Sequence, residues 1–253
     1  MDIVAIGSPS GLHAAQATAA VRRGIHVLVE KPLDTTTAAI DALIAEADRA
    51  GVKAGVFFQE RLAPEMVALK AKIESGELGV PLFASGHVKW YRPPEYYSGS
   101  RWRGTWKLDG GGALMNQGIH TVDALVWLMG PVARVTGRTA TRLHDIEVED
   151  TAAALLEFES GAVGTIEATT AAFPGFPRRL EVTGTKGSIV HEDPARPATV
   201  ADATPHRRVF EDFIAAVRQK RTPACDARQG RRSVAIVEAI YRSAVSRQSE
   251  EPK

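Results

Sequence analysis

The chain has 253 residues, 44% hydrophobic and 24% charged, with 31 basic against 30 acidic residues for a formal net charge of +1. That balance leaves no electrostatic footprint for nucleic acid or an anionic membrane surface, and no apolar run reaches the length of a spanning helix. A single cysteine, Cys225, excludes an internal disulfide or a multi-thiolate zinc site, and the start lacks a basic segment followed by a long apolar core, so a reducing cytoplasm is the expected compartment.

Strand and helix alternate over the first sixty residues. DIVAIG, residues 2 to 7, reads as a buried strand; Ser8 to Ser10 supply a turn, and LHAAQATAAVRR is an Ala-rich helix stopped at Gly24. HVLVE is the second strand. A helix then starts near the three threonines at 35 to 37, carries Ile40, Leu43, Ile44 and Ala47 at helical spacing, ends at Gly51 and leads into the strand KAGVFF. Such a β-α-β-α-β order predicts a parallel, right-handed sheet.

The end of the second strand, HVLVEKPL at residues 26 to 33, departs from a buried strand by running into Glu30, Lys31 and Pro32. Proline cannot donate to a sheet ladder and biases the preceding residue toward an extended conformation, so Lys31 is expected at the carboxyl edge of the sheet, where open α/β sheets bind ligands. A solvated turn is the plainer alternative for the same residues.

From residue 62 a second domain is expected. Residues 64 to 75 read as a helix, SGELG as a turn, and PLFASGHVKWY as a long extended segment ending in aromatic and basic residues. Tyr91, Arg92, Tyr96, Tyr97, Trp102 and Arg103 follow as a cluster suited to stacking a sugar or base and gripping a phosphate or carboxylate, or equally to covering a sheet edge. Residues 132 to 190 give four extended segments joined by glycine-containing turns such as SGA and TKG, the pattern of an antiparallel sheet. EDPARPATVADATP, residues 192 to 205, is the most loop-like stretch, and two helices close the chain, the last over roughly 231 to 247.

GGGALMNQGIHTVDALVWLMG, residues 110 to 130, predicts one helix with Asn116, His120 and Asp123 at i, i+4 and i+7, a polar stripe on an otherwise apolar rod. The glycines ahead of it allow close approach of backbone to a ligand or another strand. His120 is equally a satisfied structural histidine, and His120 with Asp123 has the spacing of two metal ligands but lacks a third, so no metal is assigned.

GSPSGLHAAQA, VEKPL, FFQERLAP, ESGELG, the GGG-NQGIHTVD helix, VEDTAAALLEF, VTGTKGSI and RRSVAIVEAIYRSA, taken in that order, resemble the Gfo/Idh/MocA oxidoreductases, and the YR and WRGTW segment before NQGIH is similar to UDP-N-acetylglucosaminuronate dehydrogenases. The resemblance implies a truncated parallel Rossmann-type sheet over residues 1 to 61, followed by a mostly antiparallel open-sheet substrate domain with helices over 62 to 253. It implies a hydride exchange between a sugar or nucleotide-sugar hydroxyl and NAD or NADP, and a homo-oligomer, dimer or tetramer. Carried over residue by residue, Lys31 polarises the reacting hydroxyl and His120 exchanges its proton; Ser8, Pro9, His13, Glu30, Lys31 and Gln59 face the cofactor; Lys31, Tyr91, Arg92, Trp102, Arg103, Asn116 and His120 face the substrate. The resemblance also implies a Lys31–Pro32 bond in the cis form. Asn116 stands where some relatives carry aspartate, and as an amide it is expected to position rather than activate.

GSPSG is not the GxGxxG fingerprint that opens a dinucleotide-binding domain, so about two further βαβ units are expected upstream, whether through a misplaced start or a fragment. Without them, weak dinucleotide binding and an unpaired edge on DIVAIG are expected. The rival reading is a sugar-binding or regulatory relative without catalysis.

Overall fold

The computed structural model describes residues 1 to 193 and 202 to 253, so much of the loop-like stretch at 192 to 205 lies outside the described residues. Strands β1 (Ile3–Ile6), β2 (His26–Val29) and β3 (Ala54–Val56) form a parallel sheet in the order β1-β2-β3, with helices α1 (His13–Val21) and α2 (Thr37–Ala50) as its crossovers. Val27, Leu28 and Val29 are fully buried, as a strand covered on both faces requires. Thr36 caps α2 by accepting from the Ala39 N–H at 3.3 Å, and Gly51 ends it at φ +66°, a left-handed conformation that glycine adopts without steric cost.

After α3 (Pro64–Glu74) the second sheet begins with β4 (Pro81–Lys89). It is completed by β5 (Val132–Ala140), β6 (Thr151–Phe158), β7 (Val163–Thr169), β8 (Arg179–Gly184) and β9 (Ser188–Glu192), in the order β5-β6-β7-β4-β8-β9. Four of its pairings are antiparallel; β4 and β7 run parallel, because the chain leaves β4 through the long segment carrying α4 (Glu95–Ser98) and the central helix before returning. One face is covered by α5 (Ile119–Met129), which lies so close to β4 that a side chain at Gly86 would strike Thr121. The other face is open and presents Phe83, Leu155, Val163 and Val190 to solvent.

The helix expected over 110 to 130 is two pieces. Ala113–Gly118 winds as a wide turn of π-helix, and the α-helix proper starts at Ile119. Its beginning is held by a residue from another strand end. The buried Glu149 carboxylate accepts from the Gly112 and Leu114 N–H groups at 3.0 and 2.8 Å, its own carbonyl accepts from Ala113 N–H at 2.9 Å, and the Tyr241 hydroxyl donates to it at 2.9 Å. The close approach allowed by the glycines is therefore to protein: a side chain at Gly112 would overlap the Glu149 carbonyl.

Helices α6 (Thr204–Arg218) and α7 (Ala227–Ser246) return to the first sheet; α7 begins four residues earlier than the apolar stripe suggested, capped by Asp226, which accepts from Gln229 N–H. Val209 and Phe213 of α6 pack on Leu28 and Phe57, Arg231 and Arg228 of α7 pair with Asp41 and Asp48 of α2, and Asp226 bridges Gly55 of β3. Among the described residues no helix is long and apolar enough to cross a membrane.

Candidate active site

The carboxyl ends of the three parallel strands open side by side. After β1 come Gly7, Ser8 and Pro9; after β2, Glu30, Lys31 and Pro32; after β3, Phe57, Phe58 and Gln59. Backbone bonds continue past the strands, Glu30 N–H to Ile6 O at 2.8 Å and Phe57 N–H to Val29 O at 2.8 Å, so the three ends are held in register. The Lys31–Pro32 bond is cis. His13 is buried, and its two ring nitrogens lie 2.8 Å from the Pro32 carbonyl and 2.7 Å from the Ser8 carbonyl. The His13 ring thereby ties the β1 and β2 loops together.

Opposite this mouth stands the wide helical turn. Lys31 Nζ donates to the Asn116 backbone carbonyl at 2.8 Å and lies 3.5 Å from its side-chain oxygen. Asn116 Nδ2 donates to Asp109 at 2.5 Å, and the other Asp109 oxygen accepts from Gly104 N–H at 2.9 Å. Burial pulls the Lys31 ammonium below its usual range; Glu30 and Asp109 oppose that, while Arg92 and Arg103 add to it. Burial likewise pushes the Asp109 carboxyl upward, against its donors Gly104 and Asn116 and the charges of Lys31 and Arg103.

His120 lies one turn beyond Asn116 and meets Phe58 edge to face, ring centroids 5.8 Å apart. Lys31 follows β2 and Phe58 follows β3, so His120, at the start of α5, packs on the strand end next to the one that carries Lys31. Asp123, expected on the polar stripe with them, is turned away: it is buried in a two-pronged ion pair with Arg61, both bonds 2.7 Å, and accepts from Ser233 Oγ at 2.8 Å. The slower winding of the π turn changes the phase of Asn116 relative to α5, while His120 and Asp123 keep regular helical spacing and Asp123 is drawn to Arg61 and Ser233.

The aromatic and basic cluster forms the far wall. Arg92 Nη2 donates to Gln117 at 2.7 Å; Gln117 Nε2 in turn lies 2.9 Å from the Tyr96 hydroxyl and 3.1 Å from Asn116 Oδ1, which links Arg92 to Lys31 through two amides. Arg103 lies over the Tyr96 ring at 4.3 Å and near the Trp102 ring at 5.5 Å. Tyr91 is instead bridged to Ala171 and packed on Phe173, outside this network. Asp109 and Gln117 went unassigned in the sequence; their only signals were adjacency, Asp109 to the three glycines and Gln117 to Asn116.

The residues present suit the nicotinamide end of a dinucleotide. Gln59 Oε1 is buried with no donor from the protein, and a side chain at Gly7 would find only Glu30 Cγ within 4 Å, at 3.8 Å.

Two family models match, one described as an oxidoreductase family with NAD-binding Rossmann fold over residues 1 to 58, the other as a GFO/IDH/MocA C-terminal domain over residues 66 to 190. A solved structure of the WlbA dehydrogenase from Bordetella pertussis, in complex with NADH and UDP-GlcNAcA, superposes with a TM-score of 0.90 at 35% identity, covering 99% of this chain and 78% of that one. The chain belongs to the Gfo/Idh/MocA oxidoreductase family. Other relatives are the myo-inositol 2-dehydrogenase of Thermotoga maritima, 30% identical over 79% of this chain and 59% of its own length, and D-xylose 1-dehydrogenase (NADP(+)) 2 of Haloferax volcanii, 28% identical over 96% of this chain and 78% of its own. The chain thus spans about three fifths of the length of the Thermotoga relative within the family.

Proposed function

We propose that this chain carries the reaction centre of a nicotinamide-dependent dehydrogenase acting on a sugar or nucleotide-sugar hydroxyl. The carrying observation is that Lys31, after β2, bonds Asn116 of the π turn, while His120, at the start of α5, packs on Phe58 after the neighbouring strand β3. NAD or NADP, when bound, supplies the hydride acceptor, with Ser8, Pro9, Glu30 and Gln59 as the residues that hold it. Lys31 has three N–H donors; two face Asn116 oxygens, and the third donates to the substrate hydroxyl oxygen and lowers the cost of its developing negative charge. His120 takes the hydroxyl proton, a role suited to a neutral imidazole near pH 7. Asn116 and Gln117 position, since neither amide ionises.

The relatives' names support the substrate class, and the open face of the six-stranded sheet supports assembly into a dimer or tetramer. Steady-state kinetics of Lys31→Met and His120→Ala test the reading in the holoenzyme. Each is expected to cut kcat by roughly 10²- to 10⁴-fold with an unchanged circular dichroism spectrum. A wild-type rate in either variant would overturn it.

A further inference from the structure

The strand ends that carry Glu30 and Lys31 have a neighbour from much later in the chain. His206, Phe210 and Phe213 of α6 fall at i, i+4 and i+7 and so share one face of that helix, with Val209 beside them. Val209 and Phe213 are buried with Leu28 and Phe57, Phe210 meets the Phe57 ring edge to face at 5.1 Å, and the stripe ends in the first turn on His206, whose ring lies 5.2 Å from that of Phe57. An imidazole thus stands where the apolar stripe reaches the strand ends. Its Nε2 lies 3.1 Å from Glu30 Oε1, 176 positions away, while Glu30 Oε2 accepts from the Lys31 backbone N–H at 3.2 Å. Both oxygens of Glu30 are engaged, one by α6 and one by the loop that carries Lys31.

Resting on the reading of Lys31 as the group that polarises the hydroxyl, we infer that His206 is a positioning residue of this centre: it fixes the Glu30 carboxylate beside Lys31 and so keeps in one place the negative charge that supports the ammonium. Burial is the main pull against that ammonium, with Arg92 and Arg103 adding to it; Glu30 opposes them more than Asp109 does. Held by the Lys31 N–H alone, the Glu30 side chain would be free to turn to other rotamers, in which its charge moves into water and its field at the lysine is screened. The His206 bond removes that freedom, and the ring is already braced on Phe57. Both side chains are partly exposed, 42% for His206 and 33% for Glu30, so the pair adds little to stability and its effect is one of direction. A neutral imidazole is enough for this, since with its proton on Nε2 it donates to Glu30 Oε1.

Trace acetylation of Lys31 across a pH series, read by mass spectrometry of the peptide that contains it, tests this without turnover. The rate follows the fraction of free amine, so its midpoint reports the lysine and its plateau at high pH reports access. His206→Phe keeps a ring against Phe57 and removes the donor; the midpoint should move to lower pH, with labelling on its acid side roughly 3- to 10-fold faster and the plateau unchanged. His206→Gln keeps an N–H donor and should stay within about 2-fold of wild type. Glu30→Gln should shift the midpoint at least as far as His206→Phe does, and adding His206→Phe to Glu30→Gln should change nothing further. A wild-type midpoint in His206→Phe, or the same shift from His206→Phe with and without the Glu30 carboxylate, would overturn the assignment. Equal shifts in His206→Gln and His206→Phe would overturn it too, by placing the effect in packing. The reaction reading fails separately: a wild-type rate in Lys31→Met sinks it whatever the labelling gives.

Discussion

Lys31 and Asn116, 85 positions apart in the chain, meet through two oxygens of the asparagine, the backbone carbonyl at 2.8 Å and the side-chain carbonyl at 3.5 Å from the ammonium. Neither oxygen carries a formal charge. The lysine is therefore aimed with no carboxylate bonded to its ammonium: Asp109 accepts from the Asn116 amide, and Glu30 and Asp109 act on the lysine through space.

Replacing that amide separates aiming from charge. Asn116→Ala leaves the buried Asp109 oxygen without its donor and should raise KM by roughly 5- to 30-fold, the scale of a lost hydrogen bond in a dry site. Asn116→Asp sets two carboxyls at hydrogen-bond distance, where the pair must share one proton, and should add a new ionisation to the rate profile. Adding Asp109→Asn to it should remove that ionisation; a pH profile of Asn116→Asp indistinguishable from wild type would show that the two groups do not couple.

The alkaline limit of activity reports on Lys31. In the proposed reaction its ammonium is the donor to the hydroxyl, and burial holds its pKa below the usual lysine range, so kcat/KM should fall as pH rises through that lowered value. Arg103 repels the ammonium and Asp109 attracts it. Arg103→Met should accordingly move the alkaline limb to higher pH and Asp109→Asn to lower pH. Shifts of the opposite sign, measured over a pH range in which the fold is intact, would remove Lys31 from the profile.

Arg61 and Asp123 hold the helix that carries His120. Both are buried, and removing one leaves the other charge without its partner, so Arg61→Leu should cost about 3 to 5 kcal/mol in urea unfolding. The double variant Arg61→Leu with Asp123→Leu should recover much of that loss. Equal destabilisation by the single and double variants would place the cost in packing instead.

The open sheet face is expected to join copies of the chain. Phe83 and Val163 are direct neighbours across β4 and β7, and Leu155 lies on the same face. Phe83→Glu and Leu155→Glu should convert a multimer to monomer in light scattering, with little effect on helix content. A monomeric wild-type protein would end this assignment.

How much of this was legible beforehand depended on range. The β1 to β3 alternation could be read because apolar runs are bracketed by Gly24, Gly51 and Pro32, each acting on its own neighbours. Lys31, Asn116 and His120 were marked by local pattern as well. The π turn was not, since it is held by Glu149 from 35 to 37 positions away, and no residue inside 113 to 118 advertises it. Asp123 was misplaced for the same reason: helical spacing set it beside His120, while its partner Arg61 comes from 62 positions earlier. Mixed pairing in the second sheet followed from β4 joining β7, a choice that strand pattern does not encode.

The return of the last helices to the first sheet fixes an order of events during synthesis. Val56 N–H donates to the Cys225 carbonyl, Gly55 is bridged to Asp226, and Gly230 sits against Leu33 and Val56. When β3 leaves the ribosome, the strand and helix segments that finish its outer edge and cover Leu28 and Phe57 have not been made. The parallel layer must wait, partly uncovered, through the translation of some 170 further residues, from Val56 to Cys225. Pauses or truncations in that interval would leave the β3 edge exposed to chaperones and proteases, so the nascent chain is most vulnerable at a layer made long before its cover.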